Sequence, residues 1–127
     1  MTTEEDLKAN LKGETTEVAL YLAMSKKAEC EGHHTAALYF RQLAMDEAWH
    51  AAEVAELLGM VGDTKANIEM MLSGETKATG EKSDAAKKAE AEGNIEAARF
   101  FERASKDEDR HRAGLEGLIM RFKAHGW

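Results

Sequence analysis

The chain contains no proline and a single cysteine among its 127 residues. Because proline is the residue that interrupts helices most strongly, its absence allows long helices throughout the sequence. One cysteine cannot form an intrachain disulfide, and it cannot supply the paired thiolates of a Cys-x-x-Cys metal site. Such a chain needs no oxidising compartment, so a reducing cytoplasm is its simplest location.

Basic charge and long apolar runs are also scarce. The net charge is −7, which argues against nucleic acid as a partner, since phosphate binding requires a basic surface. No apolar run approaches the ~20 residues of a membrane-spanning helix. The acidic N-terminus lacks the basic and apolar regions of a signal peptide. We therefore expect neither a nucleic-acid partner nor a membrane partner.

The composition that remains favours helices. Hydrophobic residues make up 43% of the chain, enough for a core, and alanine, glutamate, lysine and leucine are abundant. Glycines divide the sequence into four predicted helices, at about 3–31, 34–58, 64–93 and 95–123. In the second helix, helical spacing predicts a buried face made of Leu38, Phe40, Leu43, Val54, Leu57 and Leu58. The lysines and glutamates between 81 and 92 are interpreted as a solvated helix face.

The sequence repeats itself at an offset of 61 residues. The segment 26–29, Lys-Lys-Ala-Glu, recurs at 87–90, and Phe40 recurs as Phe101. Repetition at a fixed period indicates a duplicated structural unit. We therefore expect one all-α domain over residues 1–127, built from two helical hairpins at 1–61 and 62–127.

Each repeat contains a Glu-x-x-His pair, and a Gly-Glu-Thr triplet lies upstream with its glutamate 33 residues before that of the pair. Residues three apart share one face of a helix, so the two members of each pair point the same way. The candidate ligands are Glu14, Glu47, His50, Glu75, Glu108 and His111. Four carboxylates and two imidazoles in this arrangement form the ligand set of a dinuclear metal site in a four-helix bundle.

Charge balance supports a metal site at these residues. Two divalent ions carry four positive charges, which four glutamates neutralise, whereas uncompensated buried carboxylates would be very costly. Oxygen and imidazole ligands without thiolate suit iron or manganese better than copper(I) or structural zinc. A lone Glu-x-x-His is usually two polar residues on a solvated helix, but its recurrence inside a repeat favours the metal site.

At these residues the sequence resembles the ferritin-like di-iron domain of the rubrerythrin family over nearly its full length. The resemblance implies a ferritin-like four-helix bundle whose six ligands bind two irons, with Glu47 and Glu108 bridging. It also implies reduction of hydrogen peroxide. The metal pair could also be Mn/Fe or Mn/Mn. Tyr21, seven residues after the first ligand, would be a hydrogen-bond partner near a ligand carboxylate; a core tyrosine is the alternative.

Two departures from the family pattern matter. Familiar rubrerythrins carry a rubredoxin domain, which one cysteine cannot build, so the resemblance implies an external electron donor, rubredoxin-like or another reductase. The family also has an extra glutamate where this chain has Ala78, and the repeat-related position holds Glu17. We expect Glu17 to be a redox-mobile carboxylate that serves the metal bound by Glu75 and His111 and exchanges with His111. The alternative is that Glu17 lies outside the ligand set.

The connection between the hairpins bears on assembly. In this class of bundle a two-fold axis relates the hairpins, so the helices before and after the connection run parallel. His50 and Glu75 then lie at the same height, and the chain between them has to return about 28 Å along the bundle. The few residues at 59–64 reach only about 20 Å. We therefore expect a domain-swapped homodimer, in which each hairpin pairs with the complementary hairpin of a second chain.

The leading functional hypothesis is a peroxidase that reduces hydrogen peroxide to water. One alternative is a ferroxidase-like iron-handling protein, which would oxidise Fe²⁺ stoichiometrically with O₂ or peroxide. Another is an O₂-activating oxidase with an organic substrate. Catalytic consumption of peroxide in the presence of a reductant distinguishes the peroxidase from stoichiometric iron oxidation, and a strong rate preference for H₂O₂ over O₂ would also favour the peroxidase.

Overall fold

The computed structural model describes residues 1–127 and consists of four α-helices without any strand. The helices are α1 (Thr3–Cys30), α2 (His34–Leu57), α3 (Thr64–Ala91) and α4 (Ile95–His125). Each begins where the sequence predicted and ends within about two residues of the expected position, so the all-α fold class is confirmed. None of the four helices has a stretch apolar enough to span a lipid bilayer.

Local hydrogen bonds and glycines set the ends of the helices. The Thr2 hydroxyl accepts a hydrogen bond from the Glu5 N–H, and the Glu5 carboxylate accepts one from the Thr2 N–H, which forms a capping box for α1. Asp63 caps α3 with its side chain. Gly32 and Gly93 follow α1 and α3 with φ angles of +83° and +78°, a left-handed conformation that ends a helix at little cost only for glycine.

The chain forms two compact units, Met1–Val61 and Gly62–Trp127. We refer to them as hairpin 1 and hairpin 2. In hairpin 1, α1 packs against α2, and in hairpin 2, α3 packs against α4.

Within each hairpin, the contact between helices follows a heptad pattern. The residues of α1 that are not exposed recur at alternating spacings of four and three: Leu7, Leu11, Glu14, Val18, Tyr21, Ser25 and Ala28. The repeat-related positions of α3 are also sheltered: Ile68, Leu72, Glu75, Thr79, Lys82, Ala86 and Ala89. This spacing keeps one seam of the helix facing its partner, as in a coiled coil. The seam therefore holds a glutamate near the middle of both α1 and α3.

The buried side of α2 is built from small residues. Its fully buried positions are Ala37, Ala44, Ala51 and Val54. The predicted face of α2 is correct for the sheltered Phe40, Leu43, Val54 and Leu58. It is wrong for Leu38 and Leu57, which are 65% and 66% exposed in the structure. Both lie off the heptad seam, which includes Ala37, Ala44 and Ala51, small residues that a search for large apolar residues overlooks.

One hydroxyl in each hairpin bridges its two helices. The buried Ser25 hydroxyl donates to the Ala37 carbonyl at 2.8 Å in hairpin 1. The Ser105 hydroxyl donates to the Thr79 carbonyl at 2.8 Å in hairpin 2. These serines are not related by the 61-residue offset, so the two hairpins fix their helices with different residues.

Replacing the buried serine tests the contribution of this bridge. We expect Ser25→Ala to lower the free energy of unfolding of the metal-free protein by about 1 kcal/mol, since a buried hydrogen bond is lost. Urea denaturation followed by circular dichroism measures the change, and Ser73→Ala at an exposed position is the matched control. Equal stability of Ser25→Ala and the unaltered protein would contradict this role.

Candidate metal centre

The three predicted ligands of hairpin 1 lie together on its seam. Glu14 comes from α1, and Glu47 and His50 come from successive turns of α2. One ligand atom from each of the three residues lies within 4.8 Å of the others. The Nδ1 atom of His50 is 3.5 Å from Glu14 Oε1 and 3.7 Å from Glu47 Oε2.

Hairpin 2 builds the same arrangement from repeat-related residues. Glu75 comes from α3, and Glu108 and His111 come from α4. The Nδ1 atom of His111 is 3.5 Å from Glu75 Oε1 and also 3.5 Å from Glu108 Oε1. The structure thus brings the six predicted ligands together as two groups of three, one in each hairpin.

The carboxylates of both groups are sheltered from solvent. The side chains of Glu14 and Glu75 are 12% and 17% exposed, while those of His50 and His111 are 60% and 49% exposed. The Oε2 atoms of Glu14 and Glu75 are buried and have no hydrogen-bond partner. An unpaired buried carboxylate oxygen is costly, because it gives up water without gaining a replacement.

These two oxygens test whether the residues fit a metal. A cation bound to the carboxylates would provide the partner that both oxygens lack, and the surrounding oxygen and imidazole donors are those that iron and manganese accept. Three residues with no thiolate do not complete the usual ligand set of a structural zinc site. The groups therefore fit metal ions.

Glu17 lies one turn after Glu14 on α1 and interacts with Glu47 of the same hairpin. The hydrogen bond shared with Glu47 raises the pKa of Glu17, and desolvation of the Glu17 carboxyl group and the negative charge of Glu47 raise it further. His50 opposes this shift. Glu17 therefore adds a third carboxylate beside the first group, while Ala78 offers none at the equivalent position. That Glu17 binds the metal held by Glu75 and His111 stays a prediction.

Lys82 is a site residue that the sequence reasoning missed. Its Nζ atom donates to Glu108 Oε2 at 2.8 Å, and its side chain is only 33% exposed. The hydrogen bond from Lys82 is the main reason that the pKa of Glu108 is lowered, and the charges of Lys82 and His111 contribute. The interpretation of residues 81–92 as a solvated face is therefore wrong at Lys82. The signal was present, since Lys82 is the repeat-related counterpart of Tyr21.

Tyr21 packs in the interior of hairpin 1. Its ring stacks on Phe40 with 6.2 Å between centroids and 25° between the ring planes. This contact is the packing expected of a core tyrosine on the seam. A hydrogen bond between its hydroxyl and a ligand carboxylate stays a prediction.

Comparison with known proteins identifies a family and two similar proteins. The sequence matches the rubrerythrin family over residues 5–119, a range that contains all six predicted ligands. An uncharacterized protein of Methanocaldococcus jannaschii is 45% identical over 120 residues, covering 94% of this chain and 85% of that protein. Reverse rubrerythrin-1 of Clostridium acetobutylicum is 38% identical over 120 residues, covering 93% of this chain and 66% of that protein.

Removing one buried carboxylate should affect stability and metal binding in opposite directions. We expect Glu14→Gln to raise the free energy of unfolding of the metal-free protein by about 1 kcal/mol, because an uncompensated buried charge is removed. The same change should weaken metal binding by at least about tenfold, because a charged ligand is lost. Denaturation in the presence of a chelator and a metal titration measure the two effects.

The exposed Glu56, changed to glutamine, is the matched control for hairpin 1. A Glu14→Gln protein that binds metal as tightly as the unaltered chain would contradict the assignment of Glu14 as a ligand.

Proposed function

This chain belongs to the rubrerythrin family, and on that premise we propose that it is a dinuclear-metal peroxidase. It would reduce hydrogen peroxide to water with electrons from an external donor, and iron is the proposed metal at both positions. The observation that carries the proposal is the pair of three-ligand groups with a buried, unpartnered carboxylate oxygen in each. A reducing cytoplasm suits a chain whose only cysteine forms no disulfide.

We propose that a group from hairpin 1 and a group from hairpin 2 combine into one dinuclear centre. Each group supplies two carboxylates and one imidazole, so the combination has four negative charges, as two divalent ions require. When bound, the metal pair would supply the two electrons for peroxide reduction and the Lewis acidity that polarises the O–O bond. The protein contributes the ligands, and Glu47 and Glu108 are the proposed bridging carboxylates.

Glu17 is the proposed mobile carboxylate of this centre. It lies beside Glu47 but is itself exposed, so its side chain has room to change position. A carboxylate that approaches or leaves a metal adjusts the negative charge around it when the metal changes oxidation state. We propose that Glu17 does this at the metal of Glu75 and His111, in exchange with His111.

We also propose that the two hairpins of one centre come from two chains. An isolated helical hairpin cannot cover all of its apolar residues, and each hairpin here leaves large ones exposed. Trp49 and Leu57 are 70% and 66% exposed in hairpin 1, and Phe100 and Met120 are 52% and 71% exposed in hairpin 2. The six connecting residues from Leu58 to Asp63 span at most about 20 Å, which favours pairing with a second chain over return to the same chain.

The activity is tested by rapid mixing of the reduced, iron-loaded protein with hydrogen peroxide and, separately, with O₂. We expect faster oxidation by peroxide, and repeated turnover when a reductant is supplied. Glu47→Ala should abolish both the binding of two metals and the turnover, because the proposed bridging ligand is lost. Glu56→Ala is the control at an exposed position of the same helix.

Oxidation that stops after one equivalent, or that is faster with O₂, would refute the peroxidase. It would favour iron handling or O₂ activation instead. Full turnover by the Glu47→Ala protein would refute the assignment of the site.

The assembly is tested by light scattering on the metal-loaded protein. We expect the mass of two chains, because each complete centre draws one hairpin from each chain. A monomeric mass at full metal occupancy would contradict the exchange of hairpins and leave the metal centre itself unaffected.

A further inference from the structure

The two hairpins differ most clearly in the residues that approach their ligand carboxylates. In hairpin 1, Glu17 interacts with Glu47, whereas the repeat-related residue in hairpin 2 is Ala78. In hairpin 2, Lys82 donates to Glu108, whereas the repeat-related residue in hairpin 1 is a tyrosine. One hairpin therefore has an additional carboxyl group beside its ligands, and the other has an additional ammonium group.

We propose that Lys82 is a positioning residue whose fixed positive charge, acting through Glu108, offsets the additional carboxylate Glu17 at the dinuclear centre. The inference rests on the proposed function, because it requires both hairpins to contribute to one centre. Four ligand carboxylates match the charge of two divalent ions, and an ionised Glu17 beside them would leave one negative charge in excess. Lys82 removes that excess, so the ligands, Glu17 and Lys82 together again match two divalent ions.

The contact geometry places Lys82 on the oxygen of Glu108 that a second metal would use if Glu108 bridges, so the lysine competes with that metal for the carboxylate. Lys82 bonds to Glu108 Oε2, whereas Glu108 Oε1 is the atom 3.5 Å from His111 Nδ1. The two oxygens of one carboxylate are thus divided between the lysine and the ligand group. Lys82 lies two helical turns after Glu75 on the same seam, so α3 fixes both residues relative to α4.

Burial distinguishes this ion pair from the other lysine pairs of the chain. The pairs Lys8–Glu4 and Lys77–Glu81 join neighbouring turns of one helix, and all four side chains are at least 63% exposed. Such exposed pairs contribute little, because water screens them. The Lys82–Glu108 pair joins two helices, and its side chains are 33% and 18% exposed. Because both side chains are shielded from water, the positive charge of Lys82 interacts more strongly with the Glu108 carboxylate.

Two substitutions distinguish the effect of the positive charge of Lys82 from the effect of its hydrogen bond. Lys82→Gln keeps a donor but removes the charge, and Lys82→Arg keeps both. We expect Lys82→Gln to bind Co²⁺, used as a spectroscopic probe, about tenfold more tightly, because a cation that competes for Glu108 is gone. Lys82→Arg should bind Co²⁺ as the unaltered protein does. Competition titration with a chelator measures the affinities.

Lys77→Gln is the matched control, since it makes the same change in net charge at an exposed position of the same helix. It should leave the affinity for Co²⁺ unchanged. A second experiment removes the Glu17 carboxylate. Glu17→Gln should weaken Co²⁺ binding, and the double variant that combines Glu17→Gln with Lys82→Gln should have an affinity for Co²⁺ within about threefold of that of the unaltered protein.

Each outcome bears on one claim. If Lys82→Gln binds Co²⁺ no more tightly than the unaltered protein, or if Lys82→Arg differs from it as much as Lys82→Gln does, the charge role is wrong. A double variant that does not recover the original affinity would refute the compensation with Glu17. If the unaltered protein fails to bind two Co²⁺ per chain, the proposed dinuclear centre fails, whatever Lys82 does.

Discussion

A carboxylate held inside a narrow helical seam is the constraint on which the rest of the site depends. Glu14 and Glu75 occupy core positions of the heptad pattern, where a coiled coil would place an apolar residue. Each has one buried oxygen without a partner. Because such an arrangement destabilises the metal-free hairpin, its presence at two repeat-related positions is best explained by a cation that binds there. Glu14 and Glu75 thus lower the free energy of unfolding of the metal-free hairpins but provide carboxylates that a cation can bind.

The rest of each seam accommodates these glutamates. Alanines along α2 let the two helices of hairpin 1 approach closely, and the large apolar residues Leu38, Trp49 and Leu57 lie outside that contact. A hairpin built this way holds its ligands in place but leaves much of its apolar surface uncovered. Pairing one hairpin with another would cover the apolar surface and bring two ligand groups to one centre, which is why we propose it.

Much of this could be predicted from the sequence because the repeat supplies an internal comparison. The absence of proline and the position of the glycines gave the helix bounds, and the two Glu-x-x-His pairs gave ligands that the structure brings together. The exposure of Leu38 and Leu57 was not predicted, because helical periodicity identifies a face without saying which partner covers it. Lys82 was missed because lysine is usually solvated. Only the contact across α3 and α4 shows that it approaches Glu108.

We propose that both hairpins contribute to a single dinuclear centre. Counting the metal ions bound per chain when predicted ligands are removed from one hairpin only distinguishes this centre from two separate sites. We expect two ions per chain for the unaltered protein and the loss of both when Glu75 and His111 are replaced by alanine. Retention of one tightly bound ion per chain would contradict it, since the two groups would then be independent mononuclear sites.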